Sequence, residues 1–259
     1  MSRRLPRRVV ITGIGVLSSI GIGKDQFWKG IRSNQCGIGP ITLFNAETFA
    51  VRIAGEVAGF DGHDFVPHDV VRKIDRFALF GLVAANEAVG DASLEHELRN
   101  GTTENASVIV ATSVGALAHA ERTHRIFVEK GSRRISPYFN TNVIPSSCAT
   151  QIALRFGIHG DVQTVTTACA SGTTAIGEAF HKIRSGQIDV AVAGASETPI
   201  TPLVISTFAT VGLLSTDNDS PKSACRPFSR DRNGTVIAEG AGMVVLEELD
   251  HAQDRKSVV

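Results

Sequence analysis

Cys169 is the residue of this chain best placed to do chemistry. It lies in TTACASGTTAIGEAF, residues 166–180, where a β-branched run at 162–167 gives way to a helical pattern opening at Ser171 and Gly172. A sulfur at that junction faces the positive end of a helix, where a thiolate is stabilised. Ala168, Ala170, Ser171 and Gly172 around it are small and leave it accessible. An isolated cysteine is more often a core residue, but a strand end, small neighbours and a helix start together predict a nucleophile that forms a covalent intermediate. Cys148 falls on a helix face and Cys36 and Cys225 in loops, so packing or surface roles are expected of those three.

A cysteine nucleophile ordinarily works with a histidine. The eight here are His63, His68, His96, His119, His124, His159, His181 and His251, and none has a spacing that brings it to Cys169. His181 follows it by about 18 Å of helical rise. All eight read as surface or structural residues, and no Cys-His-Asn set for a cysteine hydrolase can be assembled. The loop GIGVLS, residues 13–18, invites a dinucleotide reading, but the third glycine of that fingerprint is missing. The next helix is expected only from Lys24 or Asp25, too late to hold a pyrophosphate, so a structural strand exit is predicted.

The elements that position Cys169 can be read from periodicity. Apolar β-branched runs recur at 9–12, 108–111, 162–167, 188–193 and 243–246, with helical segments between most of them. The runs do not alternate with polar residues, which predicts strands covered on both faces in an α/β protein with a largely parallel sheet. One helix is expected over 70–89, with Ile74, Phe77, Gly81, Leu82 and Ala85 on one face and Gly90 as its stop. A second should start near Pro145 and end before Gly157. The helix after Cys169 should end at Ser185-Gly186, and 234–248 reads as a loop exit and strand.

Composition sets the outer bounds. The chain has 259 residues, 42% of them hydrophobic, with zero formal net charge, so it can bury a sizeable core and carries no basic surplus for nucleic acid. No apolar run approaches a membrane span, and the basic start lacks the apolar stretch of a signal peptide. The four cysteines show neither CxxC spacing nor disulfide density, so a reducing, cytoplasmic setting is expected, without metal or other cofactor.

The Cys169 segment resembles the nucleophile segment of the β-ketoacyl-[acyl carrier protein] synthases, condensing enzymes of the thiolase superfamily. Five further segments agree in order: RRVVITGIGVLSSIG (7–21), IDRFALFGLVAANEAV (74–89), RRISPYF (133–139), AGASETPITP (193–202) and the block from Leu213 to Glu248. The resemblance implies the N-terminal half of a layered αβαβα fold, one βαβαβαββ unit, with residues 1–259 as a single domain whose core spans 5–250. It implies fatty-acid elongation: Cys169 takes an acyl group and its N–H helps hold the oxyanion, and malonyl-[acyl carrier protein] then condenses with loss of carbon dioxide. The family's two histidines and lysine lie in a C-terminal half beyond Val259, so the chain alone is not expected to condense. Val114 and Phe208 match positions that line the acyl tunnel. Arg72, Lys73, Arg133 and Arg134 match positions that face the acyl carrier protein, and Gly212 stands where some relatives carry another arginine. The implied partners are acyl carrier protein and a second copy in a homodimer, with no nucleic acid or membrane. A non-catalytic partner subunit and a fragment of a polyketide ketosynthase are the alternatives.

Overall fold

The computed structural model describes residues 6–100 and 103–257. The chain opens with strand β1 (Val9–Ser18), which turns back into the short β2 (Gly21–Ile22) and helix α1 (Lys24–Arg32). A small hairpin follows, β3 (Gly39–Pro40) with β4 (Ile53–Ala54), then α2 (His68–Val71), α3 (Arg76–Asp91) and α4 (Glu95–Asn100). Strand β5 (Ala106–Ala111) leads to α5 (Leu117–Lys130), α6 (Phe139–Val143) and α7 (Ser147–Phe156). Strand β6 (Val162–Val165) feeds α8 (Ser171–Arg184), and β7 (Val190–Glu197) feeds α9 (Pro202–Thr210) and α10 (Pro221–Ala224). The chain finishes with β8 (Gly240–Glu248) and α11 (Leu249–Asp254).

Six strands form one sheet in the order β2-β1-β8-β7-β5-β6. β5 runs parallel to both β6 and β7, but β8 lies antiparallel between β1 and β7. The expectation of a largely parallel sheet is therefore corrected to a mixed one. Two-sided burial produces unbroken apolar runs whichever way a strand points, so the runs carried no information on direction. All six residues of β5 are buried, and they divide by strand periodicity: Val108 and Val110 pack with α3 and α7, Ile109 and Ala111 with α8. The unit is thus three layers, helix, sheet and helix. With α5 and the shorter elements set aside, β1, α3, β5, α7, β6, α8, β7 and β8 give the βαβαβαββ order.

α3 lies unusually close on β1, because a Cβ at Gly15 would come within 1.9 Å of the Ala84 carbonyl oxygen and one at Gly13 within 2.0 Å of that of Ala88. Those glycines serve helix packing. The single helix expected over 70–89 is two. Asp75 breaks it by accepting the Phe77 N–H at 3.4 Å as the N-cap of α3, a role worth about 1 kcal/mol. Gly90 is not the stop, since α3 runs on to Asp91, and Ser93, in the left-handed region at φ 56°, turns the chain away. Residues 234–239 are loop, and only Gly240–Glu248 is strand. Among the described residues no helix is long and apolar enough to cross a membrane.

Candidate active site

The parallel run of β6, β5 and β7 brings their C-terminal ends to one edge of the sheet, where open α/β sheets bind ligands. Each strand end contributes to one site: Cys169 follows β6, Val114 sits on the turn after β5, and Glu197 ends β7. Between β6 and α8 the chain makes a sharp elbow. Ala168 adopts φ 53°, a left-handed conformation that costs a non-glycine residue about 1–2 kcal/mol. The buried Ser171 hydroxyl accepts the Thr167 N–H at 2.7 Å and donates to the Ala168 carbonyl at 2.6 Å. The elbow leaves Cys169 exposed, just ahead of the α8 N-cap Ala170. Cys148 is the opposite case: buried under α3, with its thiol pushed well above the ordinary range by burial.

Cys169, Val114 and Phe208 line one cavity of about 630 Å³, shared with the apolar Leu17, Val204 and Ile237. The three positions chosen from the sequence for nucleophile and tunnel are therefore brought together. Val114 and Phe208 are 37% and 40% exposed, as wall residues of an open cavity would be. Neither a histidine nor a lysine is among its lining residues. His119 instead is buried beside Asp75, Nδ1 to carboxylate 3.5 Å, where Arg122 also reaches that carboxylate at 3.3 Å. Burial acts to raise the Asp75 pKa, but the His119 hydrogen bond and the nearby Arg122 charge bring it below the ordinary carboxylate value.

The four basic residues divide between two segments. Arg72 is the C-cap of α2 and Lys73 follows it, while Arg133 and Arg134 lie in the one-turn helix Ser132–Arg134; all four are exposed. Lys73 pairs with Asp69 at 3.1 Å, whereas Arg72, Arg133 and Arg134 enter no ion pair among the described residues. Gly212 has φ 71° at the end of α9, where its N–H reaches the Ala209 carbonyl at 2.9 Å. An arginine there would be strained.

Two residues at the site escaped the sequence reading as functional candidates. Ser171 reads from sequence only as a small residue at the helix start, and its hydroxyl shows as a brace only once Ala168 is seen in the left-handed region. Glu197, inside AGASETPITP, has no local signal, since its donors lie more than eighty residues upstream.

The chain combines an α-β-α unit with a cysteine elbow at the strand ends, and it belongs to the β-ketoacyl synthase family. Residues 6–252 match the family described as "Beta-ketoacyl synthase, N-terminal domain". The chain is similar to 3-oxoacyl-[acyl-carrier-protein] synthase 2 of Staphylococcus aureus (strain N315), 39% identical over 249 residues, covering 96% of this chain and 59% of that protein. Among solved structures it resembles the ishigamide ketosynthase/chain length factor, with TM-score 0.87, 32% identity, and 98% of this chain matched to 61% of that one. It also resembles a type II polyketide ketosynthase solved with its acyl-carrier protein and bound to the hexaketide, with TM-score 0.84 and 32% identity over 98% of this chain and 61% of that one. The chain thus spans about three-fifths of the length of these relatives.

Proposed function

We propose that the chain is the N-terminal, nucleophile-bearing domain of an elongating β-ketoacyl-[acyl carrier protein] synthase in fatty-acid synthesis, and that Cys169 is the residue acylated. The observation that carries this reading is the exposed thiol on a braced elbow at the wall of an apolar cavity. The Cys169 thiolate attacks the thioester carbonyl of an acyl-carrier protein. The oxyanion of the tetrahedral intermediate is held in part by the Cys169 N–H. Collapse expels the carrier thiolate, which takes up a proton, and leaves the acyl group on sulfur with its chain beside Val114 and Phe208. In the complete reaction malonyl-carrier protein loses carbon dioxide, and the resulting carbanion attacks the acyl-enzyme carbonyl. That step frees Cys169 and gives a product two carbons longer, with ping-pong kinetics. Because no histidine or lysine lines the cavity, the residues described here support the acyl-transfer half-reaction, and the decarboxylation step is assigned to groups outside them.

Arg72, Lys73, Arg133 and Arg134 are proposed to dock the acidic carrier, in a cytoplasmic homodimer. The solved relative bound to its acyl-carrier protein supports that choice of partner. Following the loss of acylated carrier by gel shift tests the reading. Stoichiometric deacylation by the wild-type chain and none by C169A is expected, with slower transfer for the double variant R133E/R134E. Equal deacylation by C169A would contradict it.

A further inference from the structure

Glu197 receives an unusual concentration of donors from one short turn. Its two carboxylate oxygens take the Ser113 N–H, the Val114 N–H at 3.2 and 3.3 Å, and the Thr112 hydroxyl at 3.0 Å. The Thr112 oxygen in turn accepts the Gly115 N–H at 2.9 Å. Three consecutive amides therefore converge, directly or through one hydroxyl, on a single carboxylate. Such a concave array of N–H groups is an anion-binding nest, and here the chain fills it with its own side chain. No cation pairs with Glu197 among the described residues, so the donors of the turn are its carboxylate's described partners.

The arrangement follows from topology. β5 and β7 are parallel neighbours in register at Ala111 and Ala195, so Glu197, two residues further along, reaches the turn that leaves β5. That turn carries Val114 to the wall of the cavity holding Cys169. Val114 is 37% exposed, and its backbone N–H is held by both carboxylate oxygens of Glu197. Thr112, at 2% exposure, anchors the other end of the turn through its N–H to the Val165 carbonyl at 3.1 Å. The same turn is thereby tied to β6, whose exit bears Cys169.

We infer that Glu197 is a positioning residue for acyl-chain selection: its carboxylate fixes the Thr112–Gly115 turn, so that Val114 sets how long a chain the cavity beside Cys169 accepts. This rests on the reading of Cys169 as the acylated residue. The test combines two measurements on the 259-residue chain, for wild type, E197Q and T112V. One is hydrogen exchange of the 113–115 amides. The other is the rate of Cys169 acylation by N-acetylcysteamine thioesters of four to fourteen carbons, each rate divided by that variant's rate of Cys169 alkylation by iodoacetamide, which reads the thiol itself.

In E197Q the three amides are expected to exchange at least about tenfold faster. Its normalised ratio of long-chain to short-chain rates should rise at least about threefold as the wall relaxes. T112V, which removes the hydroxyl's bond to Glu197 and the one it accepts from the Gly115 N–H, is expected to speed exchange chiefly at Gly115. Unchanged exchange in both variants would overturn the clamp. Faster exchange with an unchanged chain-length ratio would overturn the role in selection. If the wild type takes no thioester, the functional reading fails and the selection role with it, while the exchange measurement still decides whether Glu197 holds the turn.

Discussion

The Ser171 hydroxyl donates to the carbonyl of Ala168 at 2.6 Å while accepting the Thr167 N–H at 2.7 Å, so one buried side chain closes the elbow on which Cys169 stands. The bond spans the residue that is in the left-handed region and ties it to the first turn of α8. A reactive thiol placed by a strained residue depends on such a brace. Replacing Ser171 by alanine leaves the Thr167 N–H and the Ala168 carbonyl without this partner, at a cost of about 1–3 kcal/mol. S171A should melt several degrees lower, and the rate of Cys169 alkylation by iodoacetamide should change. A variant with unchanged melting and an unchanged alkylation rate would show that the brace does not matter.

Ala168 itself offers a graded test. Glycine at this position relieves the left-handed strain but adds entropy to the unfolded chain, so A168G should remain within about 1 kcal/mol of wild type. A168V puts a β-branched side chain at φ 53° and should lose more than about 2 kcal/mol. Chemical denaturation of both variants checks the order. Equal stability of the two would contradict the conformation assigned to Ala168.

Gly15 separates a packing role from a nucleotide-binding one. A methyl group there would meet the Ala84 carbonyl oxygen at 1.9 Å, backbone that cannot move without shifting α3. G15A should therefore destabilise the chain by about 1–3 kcal/mol or more, measured by urea unfolding. A variant of undiminished stability would contradict the close contact between β1 and α3.

The buried Glu247 on β8 gives a pH signature. It bonds Thr12, His251 at 2.9 Å and Arg255, the last through two guanidinium nitrogens. Burial raises its pKa, but Arg255, His251 and Thr12 outweigh that and bring it to about 2. Its contribution to stability is present above the ordinary carboxylate range and is lost as pH falls towards about 2. His251 is shifted the other way, its pKa raised first by the Glu247 hydrogen bond and further by Glu97. Its contribution is full below the ordinary histidine pKa and is lost as pH rises through the elevated one. The difference in melting temperature between wild type and E247L should accordingly be largest between about pH 5 and 6 and shrink on both sides. At that maximum the cost should be on the order of 2–4 kcal/mol, because Arg255 is left without its partner. A difference independent of pH would contradict the coupling.

Much of the scaffold was legible because local pattern and tertiary role agree. Ser185 and Gly186 end α8 where small residues predicted it, and Gly157, at φ 67°, caps α7. Cys169 was legible for the same reason, since a strand end, small neighbours and a helix start are all local. What was missed depends on partners far away in sequence. Asp75 reads as one polar residue in a helical pattern until its partners, Arg122 and His119, forty-odd residues on, are seen around it. The antiparallel insertion of β8 between β1 and β7 leaves no trace in an apolar run buried on both sides. Glu197 is silent for a comparable reason: its donors lie more than eighty residues upstream, and only the parallel register of β5 and β7 brings them together.

On the proposed reading, Cys169 accepts an acyl group into the cavity shared with Val114 and Phe208. Peptide mapping by mass spectrometry after incubation with a medium-chain acyl thioester at neutral pH tests it most directly. One acyl group on the peptide containing Cys169, absent from C169A and slowed by placing tryptophan at position 208 (F208W), is the predicted result. Acylation of the exposed Cys36 or Cys225 with Cys169 left free would contradict it.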